Sequence, residues 1–408
     1  MGLAGVLALT PWGALAGEPV VIDGQVRVRT EIDAREFDAG VARRHFTDLR
    51  ARLGARAALA ENGHAYIQIQ DSRRLGGSSA GGAFTSGSLA NGANLDAHQA
   101  YVEVDRLFSS AWGLRAGRFE VNLGNERLLG AVGWSNVGRA WEGVHSFYLL
   151  QGGRIDGLWL KAAERNSADR NRDFDAFAAN LTLKGPGIQV LAVIENDAKD
   201  AAQAGQPTQL DRITAAGYLK RDLAPFDLEG NLAFQFGTQE FAGAGAEEAD
   251  ISAFLIALEG GYKLGGASRI ALGIDLASGD DEPGDDEIKT FDNLYYTGHK
   301  FRGAMDYFVP SRAPGLLDAM LRYSTQPTEG WTLKGDVHYF ATVADYVDFE
   351  GKKTTSVGSE MDITASTTRV KGVTVDLGAS LFFASESFAG QKDPELGQWA
   401  WASMTANF

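Results

Sequence analysis

Apolar and polar side chains alternate with a period of two over most of this chain. Leu49, Ala51, Leu53, Ala55 and Ala57 alternate with Asp48, Arg50, Arg52, Gly54 and Arg56, so one face of that stretch is apolar and small and the other cationic. Ile67 and Ile69 oppose Gln68 and Gln70; His98, Ala100, Val102 and Val104 oppose Gln99, Tyr101 and Glu103. Ile270, Leu272, Ile274 and Leu276 oppose Arg269 and Asp275, and Val373, Val375, Leu377, Ala379 and Leu381 oppose Thr374, Asp376 and Ser380. Each stretch has about the length of a tilted transmembrane strand, and about 18 of them are expected.

The connections between these stretches alternate between long and short. After a first strand over Val20 to Glu31 come a long connection (Ile32 to Phe46), a short one (Glu61 to Gly63), a long one (Arg74 to Leu95) and a short one (Leu107 to Ala111). The rhythm continues with Asn125 to Ala140, Gly152-Gly153, Arg165 to Arg172, Gly185-Pro186-Gly187, Asn196 to Thr208, a turn near Ala224-Pro225, Glu240 to Glu248 and Leu264-Gly265-Gly266. Ser278 to about Gly315 is the longest, followed by Pro327 to Gly330. An up-and-down outer-membrane barrel has short periplasmic turns and long external loops, whereas a soluble sandwich has no reason to alternate. The expectation is an all-β, antiparallel transmembrane barrel in a bacterial outer membrane, with both termini periplasmic. Its surroundings would be outer-membrane lipid and lipopolysaccharide.

Both ends of the chain add to this. The apolar run from Met1 ends in Ala14-Leu15-Ala16, as a cleaved signal peptide over residues 1–16 would, leaving a barrel over 17–408. At the other end Trp399, Trp401, Ser403, Thr405 and Asn407 alternate with Ala400, Ala402, Met404 and Ala406, and the chain stops on Phe408. A terminal phenylalanine on an alternating strand resembles the signal read by the barrel assembly machinery. No internal apolar run is long enough for a membrane-spanning helix, so a spanning structure has to be a closed barrel.

Composition narrows the chemistry. The chain has 408 residues, a net charge of −15, 50 glycines and no cysteine. The last point removes disulfides, thiolate zinc sites and thiol nucleophiles, and the acidic balance without a basic run makes nucleic acid an unsuitable partner. Gly77-Ser78-Ser79-Ala80-Gly81 fits a nucleophile-elbow spacing but lies in a glycine-serine loop instead of between a strand and a helix. His45, His64, His98, His145, His299 and His338 show no metal-ligand spacing, and the acidic run GDDEPGDDE suits a solvated loop and matches no calcium-loop pattern. No enzyme activity and no cofactor are expected.

Strand parity sends Arg27 and Arg29 into the lumen, because Ile22, Gly24, Val26 and Val28 take the lipid side. The next strand adds Arg50, Arg52 and Arg56, and further on Arg118, Glu120 and Asn122 share a face against Phe119, Val121 and Leu123. An arginine facing lipid would cost about 2–4 kcal/mol at the midplane, which favours the lumen for all of them. These arginines either line a pore or pair with Asp23, Glu31, Asp48 and Glu103 to stiffen its wall. Arg127 and Arg139, with Glu126, belong to the long loop after the fifth strand, which either folds inward as a constriction or caps the rim; Lys300 and Arg302, in the longest connection, have the same two options. Arg322, Lys334 and His338 also fall on lumen positions, with a structural role expected for each.

The segment RFEVNLGNERLLGAVGWSNVGRAWEGV, Arg118 to Val144, resembles the alginate export family of outer-membrane barrels, whose pattern runs roughly G-R-x-E, G-x-x-R-L-I-G, W-S-N-V-G-R, F-D-A-V. Trp141-Glu142-Gly143 departs from it where Phe-Asp-Ala is usual. HKFRGAMDYF (His299 to Phe308) and GSEMDI (Gly358 to Ile363) are shorter matches, and the likeness runs from the Arg27 region to Phe408. The resemblance implies an 18-stranded channel for passive export of an anionic polysaccharide such as alginate through an arginine-lined lumen. Arginine suits a polyuronate because its planar fork meets a carboxylate bidentately and stays charged. A general porin for small anions or sugars would use the same residues.

Overall fold

The computed structural model describes residues 20–76, 94–164, 173–199, 203, 205–243, 247–265 and 267–408. Residues 1–16, most of the Arg74 to Leu95 connection with its Gly77 to Gly81 motif, and the Arg165 to Arg172 connection lie outside them.

The strands are β1 (Val21–Ala34), β2 (Arg44–Ala60), β3 (Gly63–Arg74), β4 (Asn94–Val104), β5 (Trp112–Phe119), β6 (Trp141–Leu150), β7 (Gly153–Ala163), β8 (Phe174–Leu183), β9 (Ile188–Ala198) and β10 (Pro207–Leu223). They continue with β11 (Phe226–Phe241), β12 (Glu247–Gly265), β13 (Ser268–Ala277), β14 (Glu287–Ile288), β15 (Leu316–Thr325), β16 (Trp331–Val347), β17 (Lys353–Val370), β18 (Val373–Ala384) and β19 (Gly397–Asn407). The two-residue β14 lies parallel to the start of β12. The remaining eighteen form one antiparallel sheet that closes on itself where β1 pairs with β19, Gln25 opposite Asn407 through Ala34 opposite Gln398. Closure leaves no edge strand, which is what lets a sheet sit in hydrocarbon with every backbone group bonded.

The alternating pattern becomes two faces. Val26, Leu53, Ile67, Ile69, Leu272, Leu377 and Met404 are exposed on the outside, while Arg27, Arg50, Gln68, Gln70, Asp275 and Ser380 are buried inside. At one end the strands join by short turns such as 61–62, 151–152, 224–225 and 371–372; at the other end lie 35–43, 120–140 and 278–315. The contrast fades at 242–246 and 348–352, which are no longer than the turn at 326–330.

Two face assignments need correction. His98 does not share the outer face of Ala100 and Val102. The β3–β4 register slips between Gln68 opposite Gln99 and Ile69 opposite Ala97, so His98 is an extra residue whose ring turns inward, 2% exposed. Nor does β5 continue through Leu123: it ends at Phe119, and Glu120 and Asn122 belong to the inward path of the following loop. In β5 the odd positions face in, with Gly117 opposite the buried Tyr101 and Phe119 fully buried. Arg118 therefore lies on the outer face near the long-loop end, where it pairs with Glu142 at 3.1 Å and Asp96 at 3.7 Å. At the water boundary such a trio avoids the cost that an arginine meets in mid-membrane.

Candidate functional site

Two loops turn into the barrel. The first, residues 120–140, folds on itself through Leu123 N–H to Leu129 O (3.0 Å), Ala131 N–H to the Asn122 side chain (2.7 Å) and Arg139 N–H to Ala131 O (2.8 Å). The second, residues 278–315, meets it strand-like: Gly130 N–H donates to Tyr295 O (2.9 Å), Tyr295 N–H to Leu128 O (3.0 Å) and Thr297 N–H to Glu126 O (3.0 Å). The Thr297 hydroxyl bonds the Glu126 carboxylate at 2.6 Å and accepts from Val132 N–H at 3.2 Å. Val132 has φ +53°, a conformation that costs a β-branched residue on the order of 1–3 kcal/mol and persists only where its surroundings impose it.

The arginines predicted on β1 and β2 converge on the first loop. Arg27 donates to Gly133 O (2.9 Å) and Ser135 O (3.0 Å), and Arg50 to the same two oxygens (3.1 and 2.9 Å). Arg29 donates to Trp134 O at 2.6 Å and to Glu31 at 2.7 Å, and Arg52 to Val137 O and Glu120, each at 3.0 Å. The segment Trp134 to Val137 thus presents its carbonyls to four guanidinium groups. The Trp134 ring lies between the Arg29 guanidinium (4.0 Å) and the His299 ring, stacked at 4.0 Å, and its edge meets Trp401 at 4.8 Å.

The predicted loop residues join the two loops to each other and to the far wall. Arg127 from the first loop and Arg302 from the second both pair with Asp275 of β13, which is 1% exposed; Arg302 also bonds Asn293 at 2.8 Å. Arg139 donates to Tyr295 O and, at 3.3 Å, to Gly130 O, and Lys300, half exposed, pairs with Glu126 at 2.6 Å. Burial and then the Glu195 carboxylate raise the Tyr295 hydroxyl above the usual phenol range, so it stays a donor to Glu195 of β9 at 2.8 Å. The two shorter sequence matches meet here: Glu360 of β17 accepts from Met305 N–H at 2.8 Å, and a side chain at Gly303 (φ +82°) would strike that carboxylate.

The loops thus reach from β1, β2 and β19 to β9, β13 and β17 and divide the lumen. Arg27, Arg29, Arg50 and Arg52 form one group and Arg127, Arg139, Lys300 and Arg302 another; Arg118 belongs to neither. Asp275, Trp134 and Tyr295 were not among the predicted site residues. A lone inward carboxylate amid the apolar positions of β13 was the visible signal for Asp275, whereas nothing in a sequence announces a backbone carbonyl as an acceptor. Two polar spaces flank the loops, one of about 320 Å³ against β5 to β9 and one of about 110 Å³ lined by Asn125, Glu229, Glu259 and Arg322.

A closed eighteen-strand barrel with an apolar outer wall, a polar interior and loops folded into its lumen is an outer-membrane channel by class. Residues 19–401 match the alginate export family, and the chain belongs to it. Its fold is similar to solved porins of low sequence identity. OccK1 (OpdK) of Pseudomonas aeruginosa is 12% identical, with a TM-score of 0.63 over 95% of this chain and 98% of that one. The BenF-like porin of Pseudomonas fluorescens Pf-5 is 12% identical, with a TM-score of 0.61 over 96% and 99%. OccD3 (OpdP) of Pseudomonas aeruginosa is 12% identical, with a TM-score of 0.60 over 96% and 92%. No curated protein matches the chain.

Proposed function

We propose that this protein is a passive channel for an anionic polysaccharide such as alginate, with the lumen arginines as the attracting charge. The observation that carries the reading is the pair Arg27 and Arg50. They are directly opposite across β1 and β2, 6% and 4% exposed, and among the described residues neither has a carboxylate within ion-pair distance. Two like charges about 5 Å apart repel by about 3 kcal/mol at an effective dielectric near 20. Neutral carbonyls offset only part of that, so positive potential remains for a passing anion to meet. Each contact in a wet pore contributes about 0–1 kcal/mol, enough to attract a polyanion and weak enough to release it. Arg29, Arg52, Arg127, Arg139, Lys300 and Arg302 enter the same reading as residues that hold the constricting loops. Export over a signal at residues 1–16, insertion by the barrel assembly machinery, and an outer wall in lipid and lipopolysaccharide complete it.

A second reading, a porin for small anions or sugars, is favoured by the loop-to-loop bonds that leave narrow spaces in the lumen. One of the similar structures, OpdK of Pseudomonas aeruginosa, was solved with vanillate. Planar-bilayer recording separates the two. Polysaccharide passage predicts transient, voltage-dependent block by long polyuronates; current carried by small carboxylates with no response to polyuronate would select the small-solute channel.

A further inference from the structure

Away from Arg27 and Arg50, the space of about 320 Å³ lies beneath the stretch Glu120 to Gly124 of the first loop, against the inner faces of β5 to β9. Arg154, Thr182 and Gln189 in its wall sit within a few residues of the turns at 151–152 and 184–187, so the space lies toward the short-turn end of the barrel. It contains neither member of the Arg27 and Arg50 pair.

Much of its wall is already bonded to itself. Asp156 takes the His145 ring (2.9 Å), the Asn180 amide (2.8 Å) and Arg154 (2.5 Å); Gln189 donates to Asn180 at 2.6 Å, and Arg115 donates to Glu103 at 2.5 Å. A wall locked in this way is pre-organised, which lowers the entropy cost of taking a ligand. What it leaves unused decides the ligand. Arg115 and Arg154, with side chains 24% and 37% exposed, each keep a guanidinium nitrogen outside these bonds. The Asn122 amide N–H groups and the Thr182 hydroxyl proton are spare donors; the second oxygens of Glu120 and of the Gln189 amide are spare acceptors.

We infer that this space is a saccharide subsite that holds one carboxylated sugar ring, its carboxylate toward Arg115 and Arg154 and its hydroxyls toward Asn122, Thr182, Gln189 and Glu120. The volume is at the lower end of small-ligand pockets, about 300–1,000 Å³, which fits a single ring. Excess donors suit a carboxylate, and acceptors beside them suit hydroxyl groups. An aromatic acid fits less well, because the apolar lining is limited to Val121 and Leu123. The inference rests on the anionic-polysaccharide reading and adds to it a first docking place at the short-turn mouth.

The test is calorimetric titration of the detergent-solubilised full chain with a triuronate, and with a neutral trisaccharide as control, alongside bilayer recording of the same preparations. Arg154→Gln removes a charged contact, and Thr182→Phe fills the space without altering charge. Heat-modifiable gel migration selects folded protein. The expected result is triuronate binding weakened about tenfold or more in each variant, and weaker neutral-sugar binding in the wild type. Triuronate binding equal in wild type and both variants, with polyuronate block retained, overturns the subsite and leaves the channel reading intact. Equal binding of neutral and charged trisaccharides overturns the carboxylate assignment. Absence of any uronate binding or block in the wild type overturns both readings.

Discussion

Arg27 and Arg50 face one another across the β1–β2 ladder and close on the same two carbonyls, those of Gly133 and Ser135. Like charges opposite each other destabilise a sheet, so the arrangement needs a partner for both. The first inward loop supplies one in uncharged form. The pair therefore acts twice: its forks hold the loop, and no described carboxylate lies within ion-pair distance of its charge.

The two actions separate by substitution. Replacing both residues by lysine keeps the charge but loses the planar fork that spans two acceptors. The expected outcome is retained anion preference in reversal potentials with noisier, larger conductance as the loop loosens. Replacing both by glutamine removes the charge, and anion preference is expected to fall. Equal selectivity in the wild type and the glutamine variant would take these residues out of the conduction path.

Asp275 holds an arginine from each loop, so a single substitution tests whether the loops form one unit. Asp275→Asn leaves Arg127 and Arg302 buried without a counter-charge, a change worth about 3–5 kcal/mol where one partner of a buried pair is removed. Both loops are expected to become protease-sensitive together, with increased conductance, while the barrel keeps its heat-modifiable migration. Release of the second loop alone would show that the backbone bonds around Tyr295 do not couple them.

The barrel was legible because its cause is periodic. Leu272 and Asp275 carry their faces in their parity, and turn lengths mark the two ends. Where the period breaks locally, parity fails: one bulged residue at His98 reverses its face, and the end of β5 at Phe119 sends Glu120 inward by a loop while Arg118 faces out. The inward course of residues 120–140 and 278–315 was an open alternative at the level of sequence, since solvated and folded-in loops share their residue types. Trp134 to Val137 stood out as a motif, but together with Gly133 its contribution is four backbone carbonyls, whose role follows only from where the arginines lie.

The absence of cysteine allows sidedness to be measured directly. Single cysteines at Gly40 and Gly351, in connections of the long-loop end, are expected to react with a membrane-impermeant maleimide on intact cells. Cysteines at Asn62 and Lys371, in short turns, are expected to react only after the outer membrane is permeabilised. The opposite pattern would invert the barrel and place the saccharide subsite at the outer mouth.

Phe408 closes the barrel seam: its N–H donates to Gly24 O at 3.0 Å, Gly24 N–H donates to its carbonyl at 2.9 Å, and its ring covers Gly24 so closely that a side chain there would collide with it. Two backbone hydrogen bonds contribute on the order of 1–3 kcal/mol net, a small part of what a fully paired eighteen-strand sheet holds. Loss of Phe408 alone is therefore expected to leave a barrel that is stable once formed, with unchanged ion selectivity. A strong defect in assembly must then come from lost recognition of Phe408 and not from lost stability. Gly24→Leu distinguishes these, because it displaces the ring while leaving Phe408 in the chain. Recognition predicts slow appearance of the heat-modifiable form in cells for the truncated chain and a near-normal rate for Gly24→Leu. Seam packing predicts that both are impaired alike, and that both also unfold at lower temperature after purification. Normal assembly of the truncated chain would remove Phe408 from either role and leave the β1–β19 ladder sufficient to close the barrel.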